Sequence, residues 1–357
     1  MFSTAVTAFL GLLLLTTTLA VDVPGWERDP IPGAEKGTEA ALMQVYEDVL
    51  SPELIEALRE EAPHLNKFAK TFGNLKNSKY TTFWKPTGKN APKARSASEH
   101  AVDVMFDILF GKGVGTDGDG DGTGNGNAAH RLKMRNKVVG GKYWYQYRGP
   151  QEDVGFHYDK DEGMASDQMI MRFPMYSTVT YIANKGAPTV ILNQTIIKNG
   201  NIEVPPVPNE AWFVWPKINK MMVQRGDLNH GASDKLSAKP LVGDDIRITF
   251  VVSWEDIKPL EPNCHYIENH EFPSSMKKKP NKNKWTLGTD IHRVETSKIT
   301  PKHGGSKANW YEIPLGRDGA MLHSMLPVPR NAQSIPDPHG SYLLTWNNKQ
   351  VFGQGEL

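Results

Sequence analysis

Tyr143-Trp-Tyr-Gln-Tyr-Arg148, leading into Phe156-His157-Tyr158-Asp159, is the stretch whose reading decides the fold. Tyr143, Tyr145 and Tyr147 alternate with Trp144, Gln146 and Arg148, which is the two-residue period of a β-strand. His157 and Asp159 stand at i and i+2, so an extended backbone turns both toward the same side. An imidazole and a carboxylate placed this way can occupy neighbouring positions on one metal ion. A third ligand arriving from a distant strand would complete one face of an octahedron and leave three positions open. The candidate is His230, in Gly226-Asp-Leu-Asn-His230-Gly231 at the end of an apolar run. Further on, Arg247 and Thr249 share one face of a strong strand whose other face carries Ile248 and Phe250.

The same period continues between these points. Strands are expected over Ser177–Ala183, Thr189–Leu192, Ala211–Trp215, Lys220–Gln224 and Ile246–Trp254. Asn184-Lys-Gly186, Pro205-Pro-Val-Pro208 and Gly243-Asp-Asp245 supply turns between them. Short strands at regular spacing imply a sandwich or jelly roll, with its core placed at 138–258. The fold class is therefore mainly β with flanking helices. Residues 21–137 read as a helical region packing on the barrel. Ser51-Pro52-Glu53 offers a cap, a first-turn Pro and an acidic first turn, and a second helix is expected from Ser98-Glu99. Residues 259–357 read as an irregular extension, with Trp310–Ile313 and Tyr342–Trp346 as apolar pieces able to dock.

The chain has 357 residues, 41 basic and 40 acidic, for a formal net charge of +1. That balance provides no global field, so nucleic acid and acidic membranes are not expected partners. Residues 1–20 read as a signal peptide: an apolar core at 5–15, then Thr18 and Ala20 as small residues before cleavage. An uncleaved type II anchor is the alternative, and either places the protein in the secretory pathway. No stable membrane span is expected once the signal is removed. The single cysteine, Cys264, excludes an intramolecular disulfide.

The segment Tyr143–Trp254 resembles the double-stranded β-helix (jelly-roll, cupin-like) core of the Fe(II)/2-oxoglutarate-dependent dioxygenase superfamily, in a prolyl-hydroxylase-like form. Phe156-His-Tyr-Asp-Lys-Asp-Glu162, Ser177-Thr-Val-Thr-Tyr-Ile182, Gly186-Ala-Pro-Thr189, Gly226-Asp-Leu-Asn-His-Gly231 and Arg247-Ile-Thr-Phe-Val-Val252 carry the likeness. The two-histidine, one-carboxylate set with open positions suits non-haem Fe(II). The resemblance implies that His157, Asp159 and His230 hold iron and that 2-oxoglutarate chelates the same ion. Arg247 would then clamp the distal carboxylate of the cosubstrate, with Thr249 adding a hydroxyl. Tyr147 and Tyr181 are further candidates for that carboxylate, each also readable as a packed strand aromatic. Because a carboxylate stands at 159, hydroxylation is the implied reaction, with dioxygen as co-reactant, ascorbate as reductant and an unknown organic or peptidyl substrate. A cupin-like metal-binding or structural secreted protein without turnover is the reading from another class.

Other features are read plainly. His100, His130, His265, His270 and His303 are taken as structural or surface residues. Asp117-Gly-Asp119-Gly-Asp121-Gly122, within a Gly/Asp-rich loop at 111–127, matches the start of an EF-hand calcium loop. It has Ala128 where the bidentate Glu belongs and no clear amphipathic helix after it, so an acidic loop is preferred. Lys160, Asp161 and Glu162 read as rim charges or as substrate-recognising groups. Trp212, Trp215 and Trp254 read as core.

Overall fold

A computed structural model describes residues 29–75, 81–111, 124–197, 202–205, 208–237, 241–260, 264–267, 284–299, 308–315, 322–329 and 339–345. The signal-peptide reading, most of the Gly/Asp-rich loop, the lysines at 277–282 and Trp346 lie outside the described residues.

In chain order the strands are β1 Met43–Glu47, β2 Thr82–Pro86, β3 Gly140–Arg148, β4 Val154–His157, β5 Tyr176–Tyr181 and β6 Thr189–Leu192. They continue as β7 Thr195–Ile197, β8 Ile202–Val204, β9 Glu210–Val214, β10 Met221–Arg225, β11 His230–Ala232 and β12 Arg247–Glu255. The last six are β13 Cys264–His265, β14 His292–Val294, β15 Ser297–Ile299, β16 Ala308–Leu315, β17 Leu322–Pro329 and β18 Ser341–Thr345. The helices are α1 Pro52–Leu75, α2 Ala97–Phe110, α3 Gly124–Lys137 and α4 Glu162–Gln168.

Two sheets hold the chain together. The larger runs β13-β2-β3-β12-β5-β10-β1-β14 and the smaller β15-β18-β9-β6-β11-β4. Stripped of their outer strands, these are β3-β12-β5-β10 facing β4-β11-β6-β9. Successive strands switch between the two sheets except at the β6–β9 hairpin, which is the winding of a double-stranded β-helix. The strand order alone establishes the jelly-roll class expected from the sequence.

The period-2 pattern of β12 divides the interior into two cores. Phe250, Val252 and Trp254 pack outward with Tyr143, Tyr145 and Val223 under α1 and α2. Val251 packs inward between the sheets with Val179, Met222, Ile191, Trp212 and Val214. Each fully buried large side chain contributes about 1.5–3 kcal/mol, so a one-residue slip of β12 would exchange both sets and is strongly disfavoured. Trp212, Trp215 and Trp254 are all buried.

α1 begins where the sequence places it, at Pro52, and buries Leu54, Ile55, Leu58, Ala62 and Leu65 on one face. α2 starts at Ala97 rather than at Ser98-Glu99. Ser96 is the cap, accepting from Glu99 N, and Glu61 of α1 accepts from Ala97 N at 2.7 Å and Ser98 N at 3.1 Å. A carboxylate brought by tertiary packing fixes that boundary, and Ser98 turns instead to Tyr145 Oη. A helix, α3, starts inside the Gly/Asp-rich loop at Gly124, but its polar sequence GNGNAAHRLKMRNK gives it no clear amphipathic face, as the sequence reading expected.

The 259–357 segment, read as irregular, contributes strands to both sheets: β13 beside β2, β14 beside β1, and β18 beside β9 with β15 outside it. These strands are short, and their pairing partners lie far away in sequence. Among the described residues no helix is long and apolar enough to cross a membrane.

Candidate metal centre and the cavity beside it

Four interior rungs cross the large sheet, each set by the antiparallel register. The first joins Lys142, Ser253, Ser177 and Gln224; the second Trp144, Val251, Val179 and Met222. The third joins Gln146, Thr249 and Tyr181, and the fourth Arg148 and Arg247. Polar, apolar, polar and cationic bands therefore succeed one another inside the barrel.

The metal candidates gather over the first rung. β11 and β4 pair so that His230 is the direct partner of His157, and Asp159 follows two residues after His157. His157 Nε2 lies 3.7 Å from Asp159 Oδ1, and His230 Nε2 lies 3.8 Å from Asp159 Oδ2. One ligand atom from each of the three can be chosen with all separations within 4.8 Å, a spacing that a single ion can bridge. Gly231 allows the strands to meet here, because a Cβ at that position would stand 2.9 Å from Val154 O.

Supporting contacts orient each ligand. His157 Nδ1 donates to Gly155 O at 2.7 Å, which leaves Nε2 with its lone pair toward the site. Ser177 Oγ donates to Asp159 Oδ2 at 2.6 Å and lies 3.4 Å from Ser253 Oγ. His230 Nδ1 has Leu228 O at 3.0 Å and the Gln224 amide at 2.9 Å. The tautomer able to bind a metal through Nε2 carries its proton on Nδ1, within reach of both Leu228 O and the Gln224 amide, which can share it. Gln224 can then turn its own oxygen, otherwise buried without a partner, to the ring.

The electrostatics suit a ligand set. Burial raises the pKa of Asp159, but His230, His157 and the Ser177 hydrogen bond outweigh it and hold the carboxyl well below the usual range. Burial lowers the pKa of His230 and keeps it neutral, the form that ligates. His157 is half-exposed. Burial lowers its pKa, yet the bond and charge of Asp159 carry it upward overall.

Arg247 is 2 % exposed, and among the described residues its hydrogen bonds go to no carboxylate. Nε donates to Ala187 O at 3.0 Å and Nη2 to Thr189 Oγ1 at 2.9 Å, while Nη1 is enclosed with nothing to bond. Burial lowers its pKa, opposed by Tyr181 and reinforced by Arg148; a guanidinium remains charged through such a shift. Tyr181 is buried beside it, its ring centroid 5.4 Å from the guanidinium carbon. Its hydroxyl donates to Val214 O and bonds Thr189 Oγ1, both at 2.7 Å. Tyr181 thus holds Arg247 through Thr189. Thr249 lies on the third rung, 3.4 Å from Gln146 Oε1.

Tyr147 does not join this group. It is the register partner of Ile248 and packs on the helix face with it, one residue out of phase with Gln146 and Arg148. Its hydroxyl is buried without a partner, and burial pushes its pKa well up. Tyr147 is therefore corrected from a cosubstrate candidate to a packing residue. The charges after Asp159 also divide: Lys160 pairs with Glu162 at 3.4 Å, but Asp161 is buried, caps α4 at Met164 N and accepts Leu260 N at 2.7 Å.

A small, partly open cavity runs between the two ends of the site, with His230 at one end and Arg247 and Thr189 at the other; Trp144, Val179 and Val251 form its middle. Single-residue motif reading missed Ser177, Gln224, Trp144 and Gln146. Counting by two from Val179, Met222 and Val251 would have placed them on the interior face.

Fold and site together define a double-stranded β-helix whose His157, Asp159 and His230 fit the two-histidine, one-carboxylate facial triad. No family model and no curated protein matches the chain. Among solved structures it is similar to a prolyl-4-hydroxylase from Pseudomonas putida, at 12% identity over 60% of this chain and 88% of that one, with a TM-score of 0.33. EctD from S. alaskensis in its apoform gives 15% identity over 70% and 92%, TM-score 0.35. HygX from Streptomyces hygroscopicus with nickel and 2-oxoglutarate bound gives 9% over 60% and 81%, TM-score 0.27. The barrel assignment rests on strand order and register, not on these likenesses.

Proposed function

We propose that this chain is an Fe(II)- and 2-oxoglutarate-dependent dioxygenase that hydroxylates a peptidyl side chain or a small organic molecule in the secretory pathway. The observation that carries the reading is the cavity joining His230 to a buried arginine whose Nη1 has no partner. An uncompensated buried charge is expensive, so Arg247 calls for an anion. The cavity between it and the metal ligands has apolar walls. A ligand suited to this banding has a chelating oxygen pair at one end, methylenes in the middle and a carboxylate at the other end. 2-Oxoglutarate has that form.

His157, Asp159 and His230 would hold the iron, leaving one face of it for ligands. Bound iron and cosubstrate would supply the oxidation of an unactivated C–H bond, with dioxygen consumed and succinate and carbon dioxide released. The chain's own part is positional. Ser177 and Gln224 fix the ligands, the Trp144–Val251–Val179 band excludes water, and Arg247, held by Ala187 and Thr189, orients the distal carboxylate. A half-exposed His157 leaves the metal end accessible to substrate.

The test is dioxygen-dependent succinate release from 2-oxoglutarate by protein loaded with Fe(II) and ascorbate. Release that disappears in Arg247→Met supports the reading. Tight metal binding with no 2-oxoglutarate binding would favour the non-catalytic cupin-like alternative. The compartment rests on the apolar run at 5–15, and N-terminal sequencing of protein from its native host tests it. A mature chain starting at Val21 supports it, and soluble cytosolic protein with residues 1–20 intact refutes it.

A further inference from the structure

The fourth interior rung opposes two like charges. Arg148 closes β3, Arg247 opens β12, and they are direct register partners. Tyr147 and Ile248, one step along each strand, pack on the helix face, so alternation puts both arginines on the interior face. Directly opposed cations destabilise a strand pair. The hydrogen bonds that the two guanidinium groups make go to Tyr147 O, Ala187 O and Thr189 Oγ1, and none goes to a carboxylate among the described residues. Arg148 Nη1 donates to Tyr147 O at 2.9 Å, but its Nε is enclosed without a partner, as is Arg247 Nη1.

We propose that Arg148, which lies just behind the cavity lining as the register partner of Arg247, is a second cation of the distal-carboxylate site, sharing the anion that Arg247 takes; the inference rests on the function proposed above. Each guanidinium contributes one unsatisfied N–H, and a carboxylate has lone pairs enough for both. The opposed charges then become a means of selection. A ligand with an ionised distal acid satisfies the rung. One carrying an amide there, or lacking the group, leaves two facing cations uncompensated. The site would therefore discriminate 2-oxoglutarate from pyruvate and from 2-oxoglutaramate more sharply than a single arginine could.

The experiment uses the full chain loaded with Mn(II) in the absence of dioxygen, with calorimetric titration of 2-oxoglutarate and of pyruvate. Arg148→Met is expected to weaken 2-oxoglutarate roughly 10- to 100-fold, the scale of one hydrogen bond to a charged group. Pyruvate binding should be unchanged, because pyruvate has no distal acid. Arg148→Lys, which keeps the charge and loses the fork, should recover part of the loss. Without cosubstrate, Arg148→Met should melt at a higher temperature than the parent, since repulsion is relieved, and its thermal shift on adding 2-oxoglutarate should shrink.

Unchanged 2-oxoglutarate affinity in Arg148→Met, alongside a large loss in Arg247→Met, would overturn the role of Arg148 and leave the cosubstrate assignment standing. An equal loss for pyruvate, or a lower melting temperature with an undiminished ligand shift, would likewise make Arg148 merely structural. Parent-like 2-oxoglutarate binding in Arg247→Met would remove the cosubstrate reading itself, and this inference with it.

Discussion

Gly186→Ala tests the placement of Arg247 without touching any group that binds a ligand. Gly186 has φ +103, and a Cβ there would stand 2.8 Å from Arg247 Cβ and 3.1 Å from its Cγ and Cδ. Two costs follow. Holding alanine in that backbone region costs about 1–3 kcal/mol. The overlap falls on the root of the arginine side chain, so rotation of the guanidinium cannot relieve it, and the loop or the start of β12 must move. A total near 3 kcal/mol corresponds to a fall of roughly 6–12 °C in Tm for a domain of this size class. Displacing the guanidinium should also remove about one charge-assisted hydrogen bond to 2-oxoglutarate, a loss of roughly 10- to 100-fold in affinity. Gly243→Ala is the control: its φ is also positive, at +56, but nothing lies within 4 Å of the added Cβ. Scanning calorimetry and titration of Mn(II) and 2-oxoglutarate should show Gly243→Ala slightly destabilised with parent-like binding. Gly186→Ala should bind metal normally and cosubstrate poorly. A folded Gly186→Ala protein with parent-like 2-oxoglutarate affinity would refute the argument that Arg247 is the anchor in the position described.

The remaining expectations concern the metal end and the helix face. His157→Ala and His230→Ala should each lose most bound iron, read by metal analysis, while far-ultraviolet circular dichroism stays parental; full iron stoichiometry in both would exclude the triad. Gln224→Leu should weaken metal binding roughly tenfold, as losses behind ligating imidazoles do, whereas Gln224→Glu, which can still accept from His230 Nδ1, should not; equal effects of the two would discount the hydrogen bond. Tyr147→Phe should leave 2-oxoglutarate titrations unchanged and raise stability by up to about 1 kcal/mol, because it removes a buried hydroxyl with no partner. A large loss of cosubstrate affinity in that variant would return Tyr147 to the site.

Much of the site was legible because its parts are local or periodic. His157 and Asp159 are two residues apart, and two is the period of a strand, so their common orientation needs no tertiary knowledge. The alternation of Arg247 and Thr249 with Ile248 and Phe250 likewise assigns faces before any partner strand is known. The same rule, applied along Tyr143–Arg148, already separates Tyr147 from Gln146 and Arg148. A tyrosine hydroxyl suggested a ligand, but the period puts it on the other face.

Strand pairing decided the rest. Nothing local states that Ser177 stands beside Asp159, that Gln224 reaches His230, or that Arg148 opposes Arg247. These juxtapositions come from registers between strands tens of residues apart, set by burying Val251, Val179 and Met222 between the sheets. The start of α2 depended on Glu61 arriving from another helix, and the strands of the C-terminal extension depended on sheet edges that exist only once the barrel has closed. The chain's own pattern thus determined the barrel and singled out His157, Asp159, His230 and Arg247 as candidates, since periodicity and residue chemistry are properties of a short segment. Only the tertiary structure decided which side chains support them, because hydrogen-bond partners and like-charge opposition are properties of register.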